Sequence, residues 1–143
     1  MTIYSAAGIA GRNMIEEIAV QSKRRVQFIN IDKKIGEFVH KSGVNNGLLT
    51  LFVPHTTAAI TINENADPNV IKDITAELEK VIPYKNNYQH YEGNSDAHIK
   101  SSLLGPGENL IVSEGKLLLG TWQSVFFCEF DGPRARRVIC RIE

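Results

Sequence analysis

This sequence has few cysteines, little tryptophan and no excess of charge of either sign. It has two cysteines and one tryptophan in 143 residues, and 16 basic residues balance 16 acidic ones. Without a basic excess, the chain has no broad field to attract nucleic acid. It lacks both the run of about eighteen apolar residues that spans a membrane and the basic, then apolar, start of a signal peptide. We therefore expect a cytoplasmic protein with neither nucleic acid nor a membrane as partner.

The two cysteines are predicted to be free. The chain length suits one domain, residues 1–143, better than two. Cys128 and Cys140 lie on either side of a predicted turn at Pro133. If the chain folds there as a hairpin, Cys128 lies opposite Val138, and the two thiols are offset and poorly placed for a bond. Because the Cys-x-x-Cys spacing of zinc and redox motifs is also absent, we expect two buried thiols.

Hydrophobic periodicity predicts three helices. Apolar residues at a spacing of three to four positions predict helices over 32–41 and 67–81, with Asp32 and Asp67 as N-caps. A shorter helix is predicted over residues 96–104 and ends before a glycine. The second helix carries one apolar stripe, which we expect to be buried.

The remaining segments have strand patterns. Residues 14–31 alternate in patches around the charged turn 22–25 and predict two antiparallel strands. Residues 48–53 are almost continuously apolar, which is typical of a central strand covered on both faces. Alternation resumes over 58–64, and short strands in residues 109–142 predict a C-terminal antiparallel sheet. The sequence thus predicts a single α+β domain with largely antiparallel sheets, two main helices and a short third helix.

Residues 88–105 are unusually rich in side chains that take part in chemistry. His90 and His98 supply imidazoles and Asp96 a carboxylate, which are the usual protein ligands of zinc and similar ions. A structural role is equally compatible with part of this segment, since either Asn94 or Asp96 can cap the short helix. The histidine spacing matches no compact zinc motif. A metal site and a capped helix therefore both stay open.

Further candidates lie at predicted strand ends. His55 follows a buried strand, where it either lines a pocket or hydrogen-bonds the neighbouring backbone. Glu64 is a surface carboxylate unless it points back toward His55, in which case it is a ligand or base. Arg134 follows a turn and can grip an anion by paired hydrogen bonds. Arg136 and Arg137 are interpreted as charges that protect an exposed strand edge.

Four sequence blocks, in order, resemble the YjbQ-like family, also called the secondary thiamine-phosphate synthase family. They are PHTTAAITINE at 54–64, AHIKSSLLG at 97–105, LGTWQ at 119–123 and EFDGPR at 129–134. The resemblance covers the chain from about residue 14 to its end. It implies a small α+β protein that assembles as a homotrimer, with a polar site near the subunit boundary. It also implies a secondary ability to join a pyrimidine diphosphate to a thiazole phosphate, giving thiamine phosphate and pyrophosphate.

The resemblance also implies roles for particular residues. The family's Asp-x-His element falls on Asp96 and His98, its His-Thr-Thr element on His55, its strand-end acid on Glu64, and its Asp-Gly-Pro-Arg element on residues 131–134. His90 matches less closely, because the loop before the Asp-x-His element varies in length among relatives. The expected roles are catalytic for Asp96, His98 and Glu64, and metal-binding for His55, His90 and His98. Substrate binding is expected for Lys100 and Arg134, as cations that hold the phosphate charge, and for Gln123, as a pocket-lining residue.

The leading hypothesis is a thiamine-phosphate synthase type of transferase that binds a small phosphorylated metabolite. A divalent metal, zinc or magnesium, is the expected cofactor. Three histidines suit zinc, whereas diphosphates usually bind with magnesium, which prefers oxygen ligands. One alternative is a metal-dependent hydrolase of a phosphorylated or acyl substrate, with Glu64 or Asp96 as the base. Another is a non-enzymatic, trimeric metabolite-binding module.

Overall fold

Two antiparallel sheets pack face to face in the computed structural model, which describes residues 13–143. The N-terminal segment in which no signal peptide is expected lies outside this range. The elements in chain order are β1 (Met14–Gln21), β2 (Gln27–Asn30), α1 (Asp32–Ser42), β3 (Gly47–Phe52), β4 (Ala58–Glu64), α2 (Pro68–Val81), α3 (Ser95–Leu104), β5 (Gly107–Ser113), β6 (Lys116–Leu117), β7 (Gln123–Glu129) and β8 (Ala135–Ile142).

The larger sheet has the strand order β1-β8-β3-β5-β6, and the smaller has the order β2-β7-β4. Their facing side chains form the main core, to which α1 contributes Ile35, Phe38 and Val39. The outer face of the smaller sheet packs on Ala97 of α3 and on Leu78 of α2 in a second, smaller core. This arrangement confirms a single α+β domain with antiparallel sheets and three helices.

The central strand β3 differs from its expected burial. Its position between β8 and β5 is confirmed. Leu49 and Leu51 are fully buried, but Leu48 and Phe52 are 42% and 46% exposed. The expectation that both faces are covered is therefore wrong. The apolar run concealed a two-residue alternation because this strand also carries apolar side chains on its open face.

Two expected strand pairings are replaced by pairings across the molecule. β1 pairs with β8 and β2 with β7, so these consecutive strands lie in different sheets. β7 and β8 do not form the hairpin on which the offset of the cysteines was based, since the chain crosses between sheets at the turn. Cys128 and Cys140 are nevertheless free and buried, as predicted, and burial raises the pKa of both thiols.

The helix ends match the sequence in part. Asp67 caps α2 by accepting the Asn69 N–H at 2.9 Å, as predicted. Asp32 is not an N-cap, because it is already the first residue of α1 and accepts the Val125 N–H instead. The apolar stripe of α2 is only half-buried. None of the helices in residues 13–143 is both long and apolar enough to cross a lipid bilayer.

Candidate functional site

Several candidate side chains gather at the end of the sandwich where β7 leads into β8. Asp131, in this turn, accepts a hydrogen bond from Asn94 Nδ2 at 3.0 Å. The same Asp131 Oδ2 accepts from Arg134 Nη2 at 3.1 Å, and the Asp131 carbonyl accepts from Arg134 Nε at 2.8 Å. Asn94 occupies the N-cap position of α3 without a side-chain capping bond. One carboxylate therefore connects Arg134 to the start of α3.

A buried ion pair supports this turn. Glu129 is fully buried and accepts from Arg136 Nε at 2.9 Å and Arg136 Nη2 at 2.5 Å. Its oxygens also accept from Ser22 Oγ at 2.7 Å and from the N–H of Asp131 at 3.2 Å. Burial would raise the pKa of Glu129, but the hydrogen bonds from Arg136, Ser22 and the Asp131 N–H, together with the charge of Arg136, outweigh burial and lower that pKa. We call Glu129, Arg136 and Ser22, together with Thr57, the Glu129 network.

Arg136 therefore does not protect an exposed edge. Its guanidinium is buried, and Nη2 also donates to Thr57 Oγ1 at 2.8 Å. The sequence-based interpretation fails because strand alternation turns Arg136 inward, where Glu129 compensates its charge. Arg137 does point outward and lies 3.4 Å from Glu17 on the adjacent strand.

His55 is held at the same end of the molecule. Its Nε2 accepts the backbone N–H of Arg137 at 3.0 Å. Because a neutral imidazole has one donor and one acceptor nitrogen, this bond places the proton on Nδ1. Burial and the nearby charges of Arg136 and Arg137 lower the His55 pKa. Of the two possibilities left open, His55 therefore makes the backbone hydrogen bond, and its Nε2 is occupied.

His90 and His98 lie together beside an open depression. Their ring centroids are 5.5 Å apart with the planes nearly perpendicular. The depression has a volume of about 410 Å³ and is lined mainly by carbon atoms of Tyr88, Gln89, His90, Ser95, His98 and Ile99. Glu92 Oε2 is 3.6 Å from His90 Nε2. This volume is within the range of small-molecule sites.

Asp96 and Lys100 lie inside the protein rather than in the depression. Asp96 is fully buried and receives a bidentate pair from Arg25 at 2.8 and 3.0 Å. Lys100 is 1% exposed and binds Glu79 at 2.7 Å and Asp96 at 3.3 Å. Neither side chain is accessible to a substrate in this structure. The placement therefore favours structural ion pairs over the expected catalytic role of Asp96 and substrate-binding role of Lys100.

Glu64 and Gln123 lie at the opposite end of the smaller sheet. They are cross-strand partners in β4 and β7, and β4 places Glu64 roughly 20 Å from the end near His55, at about 3.4 Å per residue. Gln123 accepts the Gly120 N–H at 2.7 Å and so stabilises its own turn. Glu64 thus does not point back toward His55. Within a single chain, neither Glu64 nor Gln123 lies in the site around Asp131.

The expected metal ligands are only partly brought together. Within residues 13–143, no group of three or more His, Cys, Asp or Glu side chains could hold a metal ion. His90 and His98 are close to each other, whereas Nε2 of His55 is occupied by a backbone amide. The donor set of one chain thus does not fit a three-histidine site, and a metal cofactor stays a prediction.

Sequence reasoning missed Arg25 and Glu129. Arg25 is 71 residues from Asp96, and its guanidinium also stacks 3.7 Å over the Tyr84 ring. Glu129 looks like an ordinary strand residue, although it is a charged residue inside the apolar segment that leads into the Asp-Gly-Pro-Arg turn. A charge at such a position must be compensated when it is buried. That local signal indicated Glu129, but nothing local indicated Arg25.

The chain belongs to the YjbQ-like family, since the UPF0047 protein YjbQ-like model matches residues 16–143. UPF0047 protein MJ1081 of Methanocaldococcus jannaschii is 48% identical over 129 residues, which are 90% of this chain and 94% of that protein. UPF0047 protein YugU of Bacillus subtilis is 44% identical over 124 residues, or 86% of this chain and 94% of that one.

Solved structures agree with this assignment. A YjbQ/UPF0047 family protein from Clostridium acetobutylicum has a TM-score of 0.87 and 50% identity, over 90% of this chain and 99% of that chain. A YbjQ-like protein from Sulfolobus solfataricus P2 has a TM-score of 0.86 and 33% identity, over 91% and 96% of the two chains. The described fold is therefore the fold of this family.

Proposed function

We propose that this protein binds a small phosphorylated metabolite beside the start of α3 and catalyses a transfer of the thiamine-phosphate synthase type. The observation that supports this proposal is the position of Asp131, which holds both the Arg134 guanidinium and Asn94 at the start of α3. A cationic side chain and a helix N-terminus are thereby adjacent, and both favour a phosphate group.

The charges around α3 are compatible with such an anion. Asp96 in the first turn would repel a phosphate, but Arg25 and Lys100 compensate its charge. The hydrogen bonds and charges of these two cations outweigh burial and lower the Asp96 pKa. Arg134 is 55% exposed and oriented by Asp131, so it can reach a ligand from the solvent side. Of the two side chains expected to bind the phosphate, Arg134 is exposed and Lys100 is buried.

The depression beside His90 and His98 supplies a place for a heterocyclic ring. Tyr88 and the two imidazoles offer aromatic surfaces, and Ser95 and Gln89 add hydrogen-bonding groups. Mostly apolar walls with a few polar groups are typical of small-molecule sites. In the proposed complex, the pyrimidine ring occupies this depression and its diphosphate extends toward Arg134.

The proposed reaction is a displacement at carbon. The thiazole nitrogen attacks the methylene carbon of the pyrimidine diphosphate, so that a carbon–nitrogen bond forms while the carbon–oxygen bond breaks. Pyrophosphate leaves with the electron pair of that bond. Arg134 stabilises its developing charge, and His98 donates a hydrogen bond to it. Alignment of the two substrates supplies the rest of the acceleration.

The expected homotrimer belongs to the same proposal. The family resemblance places a polar site near a subunit boundary, and Glu64 and Gln123 lie too far along β4 and β7 to serve the site of their own chain. Light scattering coupled to size-exclusion chromatography tests the assembly, with an expected mass three times the 15.9 kDa of one chain. A monomeric mass would refute it.

A product assay tests the reaction. The protein is incubated with magnesium and the pyrimidine diphosphate, with the thiazole phosphate, or with both. Thiamine phosphate and pyrophosphate that form only when both heterocycles are present support the transferase. Release of phosphate or pyrophosphate from one substrate alone would indicate a hydrolase. Calorimetric binding without turnover would indicate a metabolite-binding module.

Matched variants locate the activity. Arg134→Met and His98→Gln are expected to lower turnover by about 10²-fold or more, the usual cost of losing one donor to a developing charge. Arg141→Met and His40→Gln are the controls, since both residues are exposed and lie outside this site. Equal activity of all four variants would show that the reaction does not occur beside α3.

A further inference from the structure

The buried face of α3 is unusually polar. Its buried residues are Asp96, Ala97, Lys100 and Ser101, and the helix has almost no apolar stripe. In α1, by contrast, Ile35, Phe38 and Val39 form an apolar stripe that enters the core. A helix normally takes its rotation about its own axis from such a stripe. In α3, Ala97 and Leu104 pack in the second core, and the ion pairs of Asp96 and Lys100 add a directional polar restraint on the rotation of the helix.

Arg25 makes the most specific of these ion pairs. Two of its nitrogens bind the two oxygens of Asp96 at 2.8 and 3.0 Å. A planar guanidinium and a carboxylate paired in this way define direction as well as distance. Lys100 and Glu79 extend the network from α3 to α2, and Tyr84 stacks on Arg25 at 3.7 Å.

The orientation of Asp96 determines the direction of His98. The two residues are two positions apart on one helix, which separates their side chains by about 200° at 3.6 residues per turn. Asp96 consequently points into the protein while His98 faces the depression. A rotation of α3 that broke the Arg25–Asp96 pair would turn His98 away from this position.

We infer that Arg25 is a positioning residue, which holds α3 in the rotation that presents His98 and the helix N-terminus to the ligand. Only the expected effect of Arg25 on catalysis rests on the proposed function. Asp96 then acts through the helix rather than on the substrate. Arg25 is part-buried and lies on the β1–β2 connection, so its effect on the site passes through Asp96.

Nuclear magnetic resonance of the full chain tests the inference without relying on activity. The His98 ring resonances are identified by their loss in His98→Gln, and amide hydrogen exchange is measured over residues 95–98. Both are compared in wild type, Arg25→Met, Arg25→Lys and Arg24→Met. Arg24 is the matched control, because it is the adjacent arginine and is exposed.

Arg25→Met is expected to shift the His98 resonances and to speed amide exchange in the first turn of α3 by about tenfold or more, since it removes two charge-assisted hydrogen bonds to Asp96. Arg25→Lys keeps the charge but not the paired geometry and should give an intermediate change. It also provides the test if Arg25→Met does not fold. Arg24→Met should match wild type.

The two proposals fail in distinguishable ways. Unchanged His98 resonances and amide exchange in Arg25→Met, or in Arg25→Lys if only that variant folds, would overturn the positioning role whatever the activity. Changed resonances in a protein that forms no thiamine phosphate would support the positioning role and reject the transferase. If the transferase is active, Arg25→Met should lower kcat more than it raises KM, because misaligned groups affect the transition state first.

Discussion

Removing Arg136 should destabilise the protein severely, because the Glu129 network is buried. Arg136→Met deletes three side-chain hydrogen bonds, two to Glu129 and one to Thr57. It leaves a fully buried carboxylate without its cation. Breaking a buried pair in this way costs about 3–5 kcal/mol. We expect a value toward the lower end, since Ser22 Oγ and two backbone N–H groups still bind Glu129.

Urea denaturation at one fixed protein concentration measures this effect. With a slope of about 1–3 kcal/mol per molar urea, the midpoint should fall by at least about 1 M. Arg141→Met is the control on the same strand, because it removes an exposed pair with Glu143 and should cost less than about 1 kcal/mol. A decrease in the free energy of unfolding of Arg136→Met that is as small as the decrease in Arg141→Met would refute the reasoning.

The pH dependence gives a second test of the same network. In wild type, the Glu129 pKa is lowered, so its contribution is present above the unfolded pKa of about 4.3 and is lost as the pH falls below it. In Arg136→Met, burial without the cation should raise that pKa. The difference in stability between the two proteins should therefore shrink from pH 7 to pH 5. The double variant Glu129→Gln/Arg136→Met removes both charges and should be more stable than the single variant Arg136→Met. The opposite order of stability would contradict the explanation.

The remaining predictions concern two glycines, one histidine and the zinc content. Gly36→Ala should stabilise α1 by about 0.5–1 kcal/mol, because nothing lies within 4 Å of an added Cβ. Gly132→Ala should destabilise the protein by about 1–3 kcal/mol, because its Cβ would meet the Arg24 carbonyl. Thermal unfolding compares the two variants, and equal effects would contradict the described turn. ¹⁵N resonances should show His55 with its proton on Nδ1 and a midpoint below the usual value of about 6.5, since burial and two arginines lower its pKa; an Nε2-protonated ring would contradict the Arg137 bond. Zinc content, measured by mass spectrometry of the purified protein, tests the expected metal cofactor: about one zinc per chain that is lost in His98→Ala would support a histidine metal site, whereas equal content in wild type and His98→Ala would contradict it.

The sequence alone determined the elements of this protein and its family. Hydrophobic periodicity and helix-capping residues act over a few positions, so helix α2, with Asp67 as its cap and Pro68 as its first residue, could be predicted from the local sequence. Four ordered motifs also identified the family, and they placed Arg134 in the turn that forms the candidate site.

The tertiary structure alone decided which of these residues meet. Arg25 and Asp96 are separated by 71 residues, and Glu64 is separated from His55 by the length of β4. A motif lists chemical groups but does not state which face of a helix or end of a strand carries them into contact. Burial and compensating charge determine whether a carboxylate such as Asp96 acts on a ligand or holds a helix, and both depend on partners that are distant in sequence.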